Sequence, residues 1–311
     1  MGIIKKNKLS KLFIKLINVF RILTRNIRTL PDFLIIGASR CGTTSLYNYL
    51  VKHPNIKSAR VKEVHFFDLN YFKGVDWYKS FFPTKFYKFI MTRLSHRDFL
   101  TGEASPSYIT HPHAAKRVYS NFPKIKIIIL LRNPIDRAYS QYHHILKGGR
   151  EKISFDKAIV KENDRINGEL DKMIKNEFYK SPYYPAFAYL TRGLYINQIK
   201  PWLNYFPEEQ ILIVKSENLF QYPKGTLKEI FKFLNLPNWV KIKFIRYHSE
   251  ANSRGMDLET RNYLIEYFKP YNQQLSEYLD SKFDWDKLRT RSSHLVKILF
   301  VIASFKHKFN K

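Results

Sequence analysis

A glycine-containing stretch, GASRCGTTS from Gly37 to Ser45, has the composition of a phosphate-binding loop. A short run of β-forming apolar residues precedes it and an apolar-periodic segment follows, which predicts the order strand, loop, helix. The first N–H groups of a helix are unpaired, and the helix dipole favours an anion there. Gly37 and Gly42 allow the backbone a tight turn close to a phosphate. We therefore predict a phosphate site at residues 37–44, although a strand–helix turn without a ligand has the same outline.

This loop lacks the lysine of the nucleoside triphosphatases. Their pattern is G-x-x-x-x-G-K-[ST], whereas here Thr43 follows Gly42 and the nearest cation is Arg40. A kinase also needs a carboxylate near the end of a neighbouring strand to hold Mg²⁺. The strong apolar strand predicted at 124–131 ends instead in Arg132, which repels a metal and attracts a second phosphate. These residues favour a phosphate-bearing donor held without a metal over the alternative of a small-molecule kinase.

The segment KEVHFFD, residues 62–68, brings a carboxylate and an imidazole close together. Group transfer to a hydroxyl needs a base that removes the proton, and a carboxylate is a usual choice. Alternation along an extended segment predicts Glu63 and His65 on the cleft side and Val64 and Phe66 in the core. Two interpretations of Glu63 stay open, a catalytic base or a solvated surface acid. His65 is an alternative base, whose basicity Glu63 would raise.

A mostly parallel sheet is needed to bring these residues together. Strands are predicted at 33–36, 124–131 and 210–214, with a short one before Glu103, and helices at 44–51, 113–120, 134–146, 195–205, 224–234 and 258–279. Asn133 is a good N-cap, and Pro134 suits a first helical turn. The alternation predicts an α/β, three-layer domain of P-loop type, with a central, mostly parallel sheet and helices on both faces. The polar stretch 147–185 is predicted to be a long surface excursion.

The composition is strongly basic. The 311 residues carry 54 Lys+Arg against 26 Asp+Glu, a formal net charge of +28. This charge favours nucleotides, acidic glycans, nucleic acids or membrane surfaces as partners, without choosing among them. The single cysteine, Cys41, excludes an intrachain disulfide and fits a reducing compartment. Four histidines, at 111, 113, 143 and 144, lack the cysteines or carboxylates that would complete a metal site, so no metal is predicted.

Both ends of the chain combine basic and apolar residues. Four basic residues interrupt the apolar stretch 9–27, which indicates a basic amphipathic helix rather than a membrane span or a signal peptide. The apolar run 294–305 is shorter than the roughly 20 residues that a span needs. We predict one domain at 31–288, between an N-terminal segment at 1–30 and a tail at 289–311. Each end either lies on an anionic membrane surface, or packs on the domain or frays.

Three stretches together resemble the sulfotransferases that use 3′-phosphoadenosine 5′-phosphosulfate (PAPS), in particular the heparan sulfate sulfotransferases and their bacterial relatives. They are FLIIGASRCGTTSLYNYLVKHP (33–54), KEVHFFD (62–68) and KIIILLRNPIDRAYSQY (126–142). A weaker likeness lies in GEASPSYI (102–109), RGLYINQIKPWL (192–203), ILIVKSENL (211–219) and NSRGM (252–256). The stretches follow the order of the family along most of the chain, so chance explains them poorly.

The resemblance implies a set of donor-binding residues. Arg40, Cys41, Gly42, Thr43, Thr44 and Ser45 would hold the 5′-phosphosulfate, Arg132 and Ser140 the 3′-phosphate, and Arg254 and Gly255 would close over the donor. Arg40 would also act in catalysis, by neutralising the bridging oxygen as the sulfur–oxygen bond breaks. Heparan-type members usually have lysine and glycine in place of Arg40 and Cys41, which changes the geometry at the leaving group.

For the acceptor side, the resemblance implies Glu63 as catalytic base, His65 as a second catalytic residue, and His65, Asp68, Ser105 and Tyr108 as acceptor-binding residues. Ala104 stands where heparan-type members often carry a lysine, so the same acceptor is not implied. The predicted reaction moves a sulfuryl group from PAPS to a hydroxyl or amine of an acceptor and leaves adenosine 3′,5′-bisphosphate. The family likeness favours a glycan or glycolipid as the acceptor, and a lipid-linked sugar and a tyrosine hydroxyl stay open as alternatives.

The predicted partners are PAPS, the glycan or glycolipid acceptor and an anionic membrane surface, and no nucleic acid. The predicted location is the cytoplasm of a bacterium, at the inner face of its membrane. The alternative to an enzyme is a basic protein that coats membranes. That alternative gives no reason for the stretches GASRCGTTS and RNPIDRAYS in one α/β chain.

Overall fold

The computed structural model describes residues 16–17, 19–239, 241, 244–245 and 255–285. Five strands form its sheet: β1 Phe33–Gly37, β2 Ile56–Ser58, β3 Leu100–Ala104, β4 Lys126–Leu131 and β5 Ile211–Lys215. The strand order is β2-β3-β1-β4-β5, and every neighbouring pair is parallel. Helices cover both faces of the sheet, which confirms the predicted α/β class.

The six helices that the sequence predicts are all present, and the described residues hold further helices that it does not predict. After helical residues at 16–17 and 19–23, they are α1 Thr43–Leu50, α2 Phe66–Leu69, α3 Gly74–Lys79, α4 Lys85–Ser95, α5 Ala114–Asn121, α6 Pro134–Lys147, α7 Phe155–Val160, α8 Glu162–Ile166, α9 Glu169–Lys175, α10 Tyr184–Phe187, α11 Tyr195–Leu203, α12 Ser216–Gln221, α13 Pro223–Phe233 and α14 Leu258–Tyr278. Short 3-10 turns lie at Arg25–Ile27, Tyr71–Lys73, Tyr108–Thr110, Thr191–Gly193 and Glu208–Gln210.

β1 and β4 form the buried centre of the sheet, because nearly all of their side chains are apolar. Every residue of β1 is buried, and residues 127–131 of β4 are excluded from solvent. Continuous apolar runs are typical of parallel strands covered on both faces. β1 lies between β3 and β4, so the order of the strands reverses around it. In open α/β sheets, ligands bind at such a switch point, outside the carboxyl ends of the strands.

The stretch predicted as a surface excursion contains more structure than its pattern indicated. It holds the short helices α7 to α10, and a second apolar cluster joins it to α6 and α14. In that cluster Phe155 and Tyr189 pack with Ile135 and Phe268. Helices of four to seven residues make too few turns to show a clear 3.6-residue period, so the sequence pattern does not reveal them.

Part of the predicted N-terminal segment packs on the domain. The Arg21 guanidinium donates to the carbonyls of Ser80 (2.5 Å) and Phe82 (2.9 Å), and Arg28 Nη1 also donates to the Phe82 carbonyl (2.9 Å). Residues 1–15, residue 18 and the predicted tail lie outside the described residues, and the domain boundaries stay predictions. Among the described residues, no helix has the length and apolarity to cross a bilayer.

Candidate active site

The loop that joins β1 to α1 is shaped by two residues with a left-handed backbone. Arg40 has φ 69°, and Gly42, the N-cap of α1, has φ 91°. A Cβ on Gly42 would lie 2.7 Å from the Phe220 ring, so both conformation and space require glycine there. The N-terminus of α1, with its unpaired N–H groups, therefore lies at the carboxyl end of β1.

A cavity of about 700 Å³ lies at this end of the sheet, within the ~300–1,000 Å³ typical of small-molecule sites. Its lining includes four predicted residues of the phosphate loop, Arg40, Gly42, Thr43 and Thr44, together with Glu63, His65, Arg132 and Ser140. Five lining residues are Lys or Arg, namely Arg40, Lys62, Arg132, Arg150 and Arg192, and Glu63 is the one carboxylate among the lining residues. This charge balance favours an anionic ligand.

Arg132 and Ser140 reach the cavity from the neighbouring strand. Arg132 follows β4 directly, and Ser140 lies on α6, whose N-cap is Asn133 as predicted; the Asn133 side chain accepts from the Ile135 N–H at 2.9 Å. Arg40 Nε donates to Ser140 Oγ (3.1 Å), and Arg132 Nη1 donates to the Arg40 carbonyl (3.3 Å). The two segments predicted to hold separate phosphates are thus joined by hydrogen bonds in one cavity.

Three predicted donor-binding residues do not line the cavity, and a fourth is not among the described residues. Cys41 and Ser45 are fully buried and do not line the cavity, and burial raises the pKa of the Cys41 thiol. Gly255 is exposed and also does not line it. Arg254 lies outside the described residues. Contact of these four residues with a donor stays a prediction.

Glu63 and His65 line the cavity although their backbone is not extended. Both have left-handed conformations, with φ 60° and 53°. Val64 and Phe66 are buried as predicted, but two left-handed residues, rather than a strand, produce this alternation. Non-glycine residues in such conformations cost on the order of 1–3 kcal/mol each and persist only where the surroundings fix them.

A buried carboxylate on β3, Glu103, helps to fix this strained segment. It accepts hydrogen bonds from the Val64 N–H (3.3 Å) and from the hydroxyls of Tyr78 (3.0 Å), Ser105 (2.7 Å) and Tyr108 (2.7 Å). Burial raises the pKa of Glu103, whereas the hydrogen bonds oppose that rise. Four donors around one carboxylate make a fully connected network beneath the cavity.

Ser105 and Tyr108 extend the network to the backbone of the strained segment. The His65 N–H donates to Ser105 Oγ (3.1 Å), and the Phe66 N–H donates to Tyr108 Oη (2.8 Å). Both hydroxyl residues are buried and do not line the cavity. In the described structure they support His65 from below, and their predicted contact with an acceptor stays a prediction.

Glu63 and His65 form an ion pair whose members shift each other's pKa. The Glu63 carboxylate contacts Lys62 Nζ, and its Oε2 lies 3.6 Å from His65 Nε2. The His65 ring contributes most to lowering the pKa of Glu63 to about 2; burial opposes this shift and Lys62 adds to it. Burial alone would lower the pKa of His65, but Asp68 and Glu63 outweigh it and raise that pKa to about 10. At neutral pH the pair is carboxylate and imidazolium, so of the two only Glu63 can accept a proton.

Asp68 orients the imidazole from the buried side. Its Oδ2 lies 2.9 Å from His65 Nδ1 and accepts from Ser107 Oγ at 2.5 Å. Burial is the largest single influence on the pKa of Asp68 and would raise it, but the hydrogen bond and charge of His65, with the Ser107 hydroxyl and the Leu69 N–H, together outweigh burial and the net shift is downward. Asp68 does not line the cavity, so its predicted role at the acceptor stays a prediction.

Two cavity arginines, Arg150 and Arg192, are not among the predicted site residues. Arg192 is buried, and it donates to Ser39 Oγ (2.8 Å) in the phosphate loop and to the Pro185 carbonyl (3.0 Å). Burial is the main cause that lowers the pKa of Arg192 to about 10. The stretch RGLYINQIKPWL contains Arg192, but one arginine in a sequence carries no sign of its burial. Arg150 lies in the polar stretch that was predicted to be an excursion.

The comparison with known proteins decides the family. Residues 30–291 match the family described as a sulfotransferase domain, and they include every residue that lines the cavity. This chain belongs to the sulfotransferase family. The predicted resemblance to sulfotransferases is therefore confirmed.

Several individual sulfotransferases are similar to this family member. Membrane-associated sulfotransferase kil1 of Dictyostelium discoideum is 30% identical over 321 residues, which cover 82% of this chain and 66% of that protein. Human bifunctional heparan sulfate N-deacetylase/N-sulfotransferase 3 is 34% identical over 283 residues, which cover 80% of this chain and 30% of that protein. The chain thus spans less than two thirds of the length of either relative. The crystal structure of a sulfotransferase from Alicyclobacillus acidocaldarius is 29% identical with a TM-score of 0.64, and the match covers 83% of this chain and 100% of that one.

Proposed function

We propose that this chain transfers a sulfuryl group from PAPS to a hydroxyl or amine of a carbohydrate, free or on a glycolipid. Family membership supports the reaction class, and the name of the human relative, which mentions heparan sulfate, supports a glycan acceptor. The observation that carries the donor assignment is the joining of Arg40, Ser140 and Arg132 in one cavity. PAPS has a phosphosulfate and a separate 3′-phosphate, so it needs two cationic sites close together, and β1 and β4 are adjacent parallel strands.

The two anionic ends of the donor are assigned to the two segments. We assign the phosphosulfate to residues 38–44, where Arg40 and the N-terminus of α1 supply positive charge. We assign the 3′-phosphate to Arg132 and Ser140, because a guanidinium binds phosphate in a bidentate manner. We also propose that Arg254 and Gly255 close over the bound donor.

Glu63 is the proposed base. As the acceptor oxygen or nitrogen bonds to sulfur, the bond from sulfur to the bridging oxygen breaks in line with it, the proton passes to Glu63, and the electron pair stays on the 5′-phosphate. Arg40 stabilises the charge on that oxygen. A carboxylate with a pKa of about 2 is ionised but weakly basic. Because Lys62 contributes to that low value, an acceptor that displaces Lys62 raises the basicity of Glu63 at the step that needs it.

The charge of the cavity supports an acidic glycan as the acceptor. Lys62 and Arg150 line the cavity together with Glu63, outside the two segments assigned to the donor. Peripheral contact with an anionic membrane and a bacterial cytoplasmic location, both predicted from the sequence, are also proposals. The name of the Dictyostelium relative, which calls that protein membrane-associated, supports the membrane contact.

The test is transfer of label from sulfur-labelled PAPS to a panel of acidic polysaccharides and glycolipids in the presence of EDTA. We expect label in at least one acceptor fraction, and we expect Glu63→Ala to abolish it. Glu266→Ala is the matched control, because Glu266 on helix α14 is an exposed acid near a lysine, Lys269, and does not line the cavity. Transfer that survives Glu63→Ala would reject the base. Mg²⁺-dependent phosphorylation by ATP without any transfer from PAPS would reject the donor and favour a kinase.

A further inference from the structure

The helical residues that precede Thr24 carry their apolar side chains on the surface of the molecule. Leu16, Val19, Phe20 and Leu23 are between 54% and 71% exposed. Their spacing of i, i+3, i+4 and i+7 is that of one helix face. In a soluble protein such a face normally packs into the core, whereas here it is turned to solvent.

The opposite side of the same segment fixes it to the domain. Arg21 donates to the carbonyls of Ser80 and Phe82, and Arg28 donates to the Phe82 carbonyl. Arg28 also pairs with Thr84 in an isolated antiparallel bridge. The arginines thus hold the segment in place with its apolar face outward, the reverse of the usual arrangement.

A second helix with an outward apolar face begins beside this attachment. Thr84 is the N-cap of α4, and α4 has no buried residue. Phe86, Phe89, Ile90 and Leu94 share one helical face and are between 36% and 74% exposed. Two neighbouring elements therefore present apolar faces that no described part of the chain covers.

Basic residues accompany both faces. Residues 1–30 contain five lysines, three arginines and no acid, and residues 85–97 contain two lysines, two arginines and no acid. Arg93 lies over the Phe89 ring, 5.3 Å from its centroid. An interfacial helix inserts its apolar side chains at the boundary between headgroups and acyl chains, and its flanking cations contact anionic headgroups. A second copy of the chain is disfavoured as the occupant, because its face would bring the same positive charge.

We propose that residues 16–17 and 19–27, together with α4, form a docking face for an anionic lipid bilayer. In the sequence, Leu9, Leu12 and Phe13 continue the apolar spacing upstream of Leu16. The Lys88–Asp32 ion pair (2.5 Å) ties α4 to the start of β1, whereas the cavity lies at the end of that strand. Docking through this face therefore leaves the cavity open to acceptors from the aqueous side.

The first test places a dye on the face of the full-length chain. Cys41 is the sole cysteine and is buried, so a thiol-reactive, environment-sensitive dye labels an introduced cysteine selectively. Leu23→Cys and Phe89→Cys report on the two elements, and Leu258→Cys, an exposed position on α14, is the matched control. We expect a blue shift for both face labels on vesicles of phosphatidylcholine with phosphatidylglycerol. We expect none on phosphatidylcholine alone and none for the control.

The second test is cosedimentation with the same vesicles. The combined change Phe86→Ser, Phe89→Ser and Leu94→Ser should weaken binding by about tenfold or more, and Val160→Ser, an exposed apolar residue elsewhere, should not. Raised salt should weaken binding of the unaltered chain as well. The proposal is overturned if the dyes at Leu23→Cys and Phe89→Cys respond no more than the dye at Leu258→Cys. It is also overturned if the triple substitution leaves binding to vesicles unchanged. A dimer that the triple substitution dissociates, without any binding to vesicles, would assign the face to self-association and overturn it equally.

Discussion

Replacing Arg132 by alanine should remove the proposed preference of this chain for a nucleotide that carries a 3′-phosphate. Arg132 follows β4, lines the cavity and donates one hydrogen bond to the Arg40 carbonyl at 3.3 Å. A guanidinium has five N–H donors in a planar fork, so donors are left for a phosphate. A hydrogen bond to a charged group contributes about 1.5–3 kcal/mol, and each ~1.4 kcal/mol is tenfold in affinity. Loss of the contact should weaken binding of adenosine 3′,5′-bisphosphate by about 10- to 100-fold.

Calorimetry with two nucleotides isolates this contact. Adenosine 5′-monophosphate lacks the 3′-phosphate, so the unaltered chain should bind it more weakly than the bisphosphate, and Arg132→Ala should bind the two almost equally. Arg93→Ala on α4 is the control for net charge, since Arg93 is exposed and does not line the cavity. An equal loss for both nucleotides would refute the reasoning, because it would show that Arg132 acts through the Arg40 loop rather than on the 3′-phosphate.

Three further changes test the loop, the ion pair and the buried network. Gly42→Ala places a Cβ 2.7 Å from the Phe220 ring at a residue with φ 91°. It should lower the free energy of unfolding, measured by urea titration, by about 1–3 kcal/mol. Gly225→Ala is the control and should not lower it, because the space around Gly225 is open. His65→Gln should raise the pKa of Glu63 from about 2 toward its ordinary 4.5. The proposed base acts as a carboxylate, so the fall of kcat/KM for the acceptor on the acid side of the pH profile should move to higher pH. A fall near pH 6–7 in the unaltered chain would contradict Glu63 as the base. Glu103→Gln places amide hydrogens against the N–H and hydroxyl groups that donate to the Glu103 carboxylate, and it should lower the free energy of unfolding by about 1–3 kcal/mol. It should also lower kcat more than it lowers nucleotide affinity. An unchanged kcat would contradict a positioning role for Glu103.

Local chemistry made the structure around the proposed donor side predictable. The β1–α1 loop is recognisable because a strand, two glycines and a helix start follow each other directly in the sequence. Asn133 and Pro134 likewise announce the start of α6, and they fix where Ser140 lies relative to Arg132. In these cases the residues that determine the structure are close neighbours along the chain.

The acceptor side and the surface depend on contacts between distant residues. The left-handed backbone of Glu63 and His65 is held by Glu103, about 40 residues further along the chain, so the pattern predicts an extended segment instead. Arg192 gives no sign of burial in the sequence, since burial depends on the packing of several elements. α4 is a helix that the sequence analysis misses, although its apolar residues have helical spacing, and that spacing is the signal that could have found it.

The hydrogen bond between Arg40 and Ser140 spans 100 residues of sequence and has a consequence for biosynthesis. During synthesis the phosphate loop leaves the ribosome long before β4 and the start of α6 are made. A nucleotide bound by both segments, as proposed, therefore cannot stabilise an early folding intermediate, and it should protect only chains in which β1 and β4 have already paired. Resistance to proteolysis that depends on the nucleotide should thus report that β1 and β4 have paired.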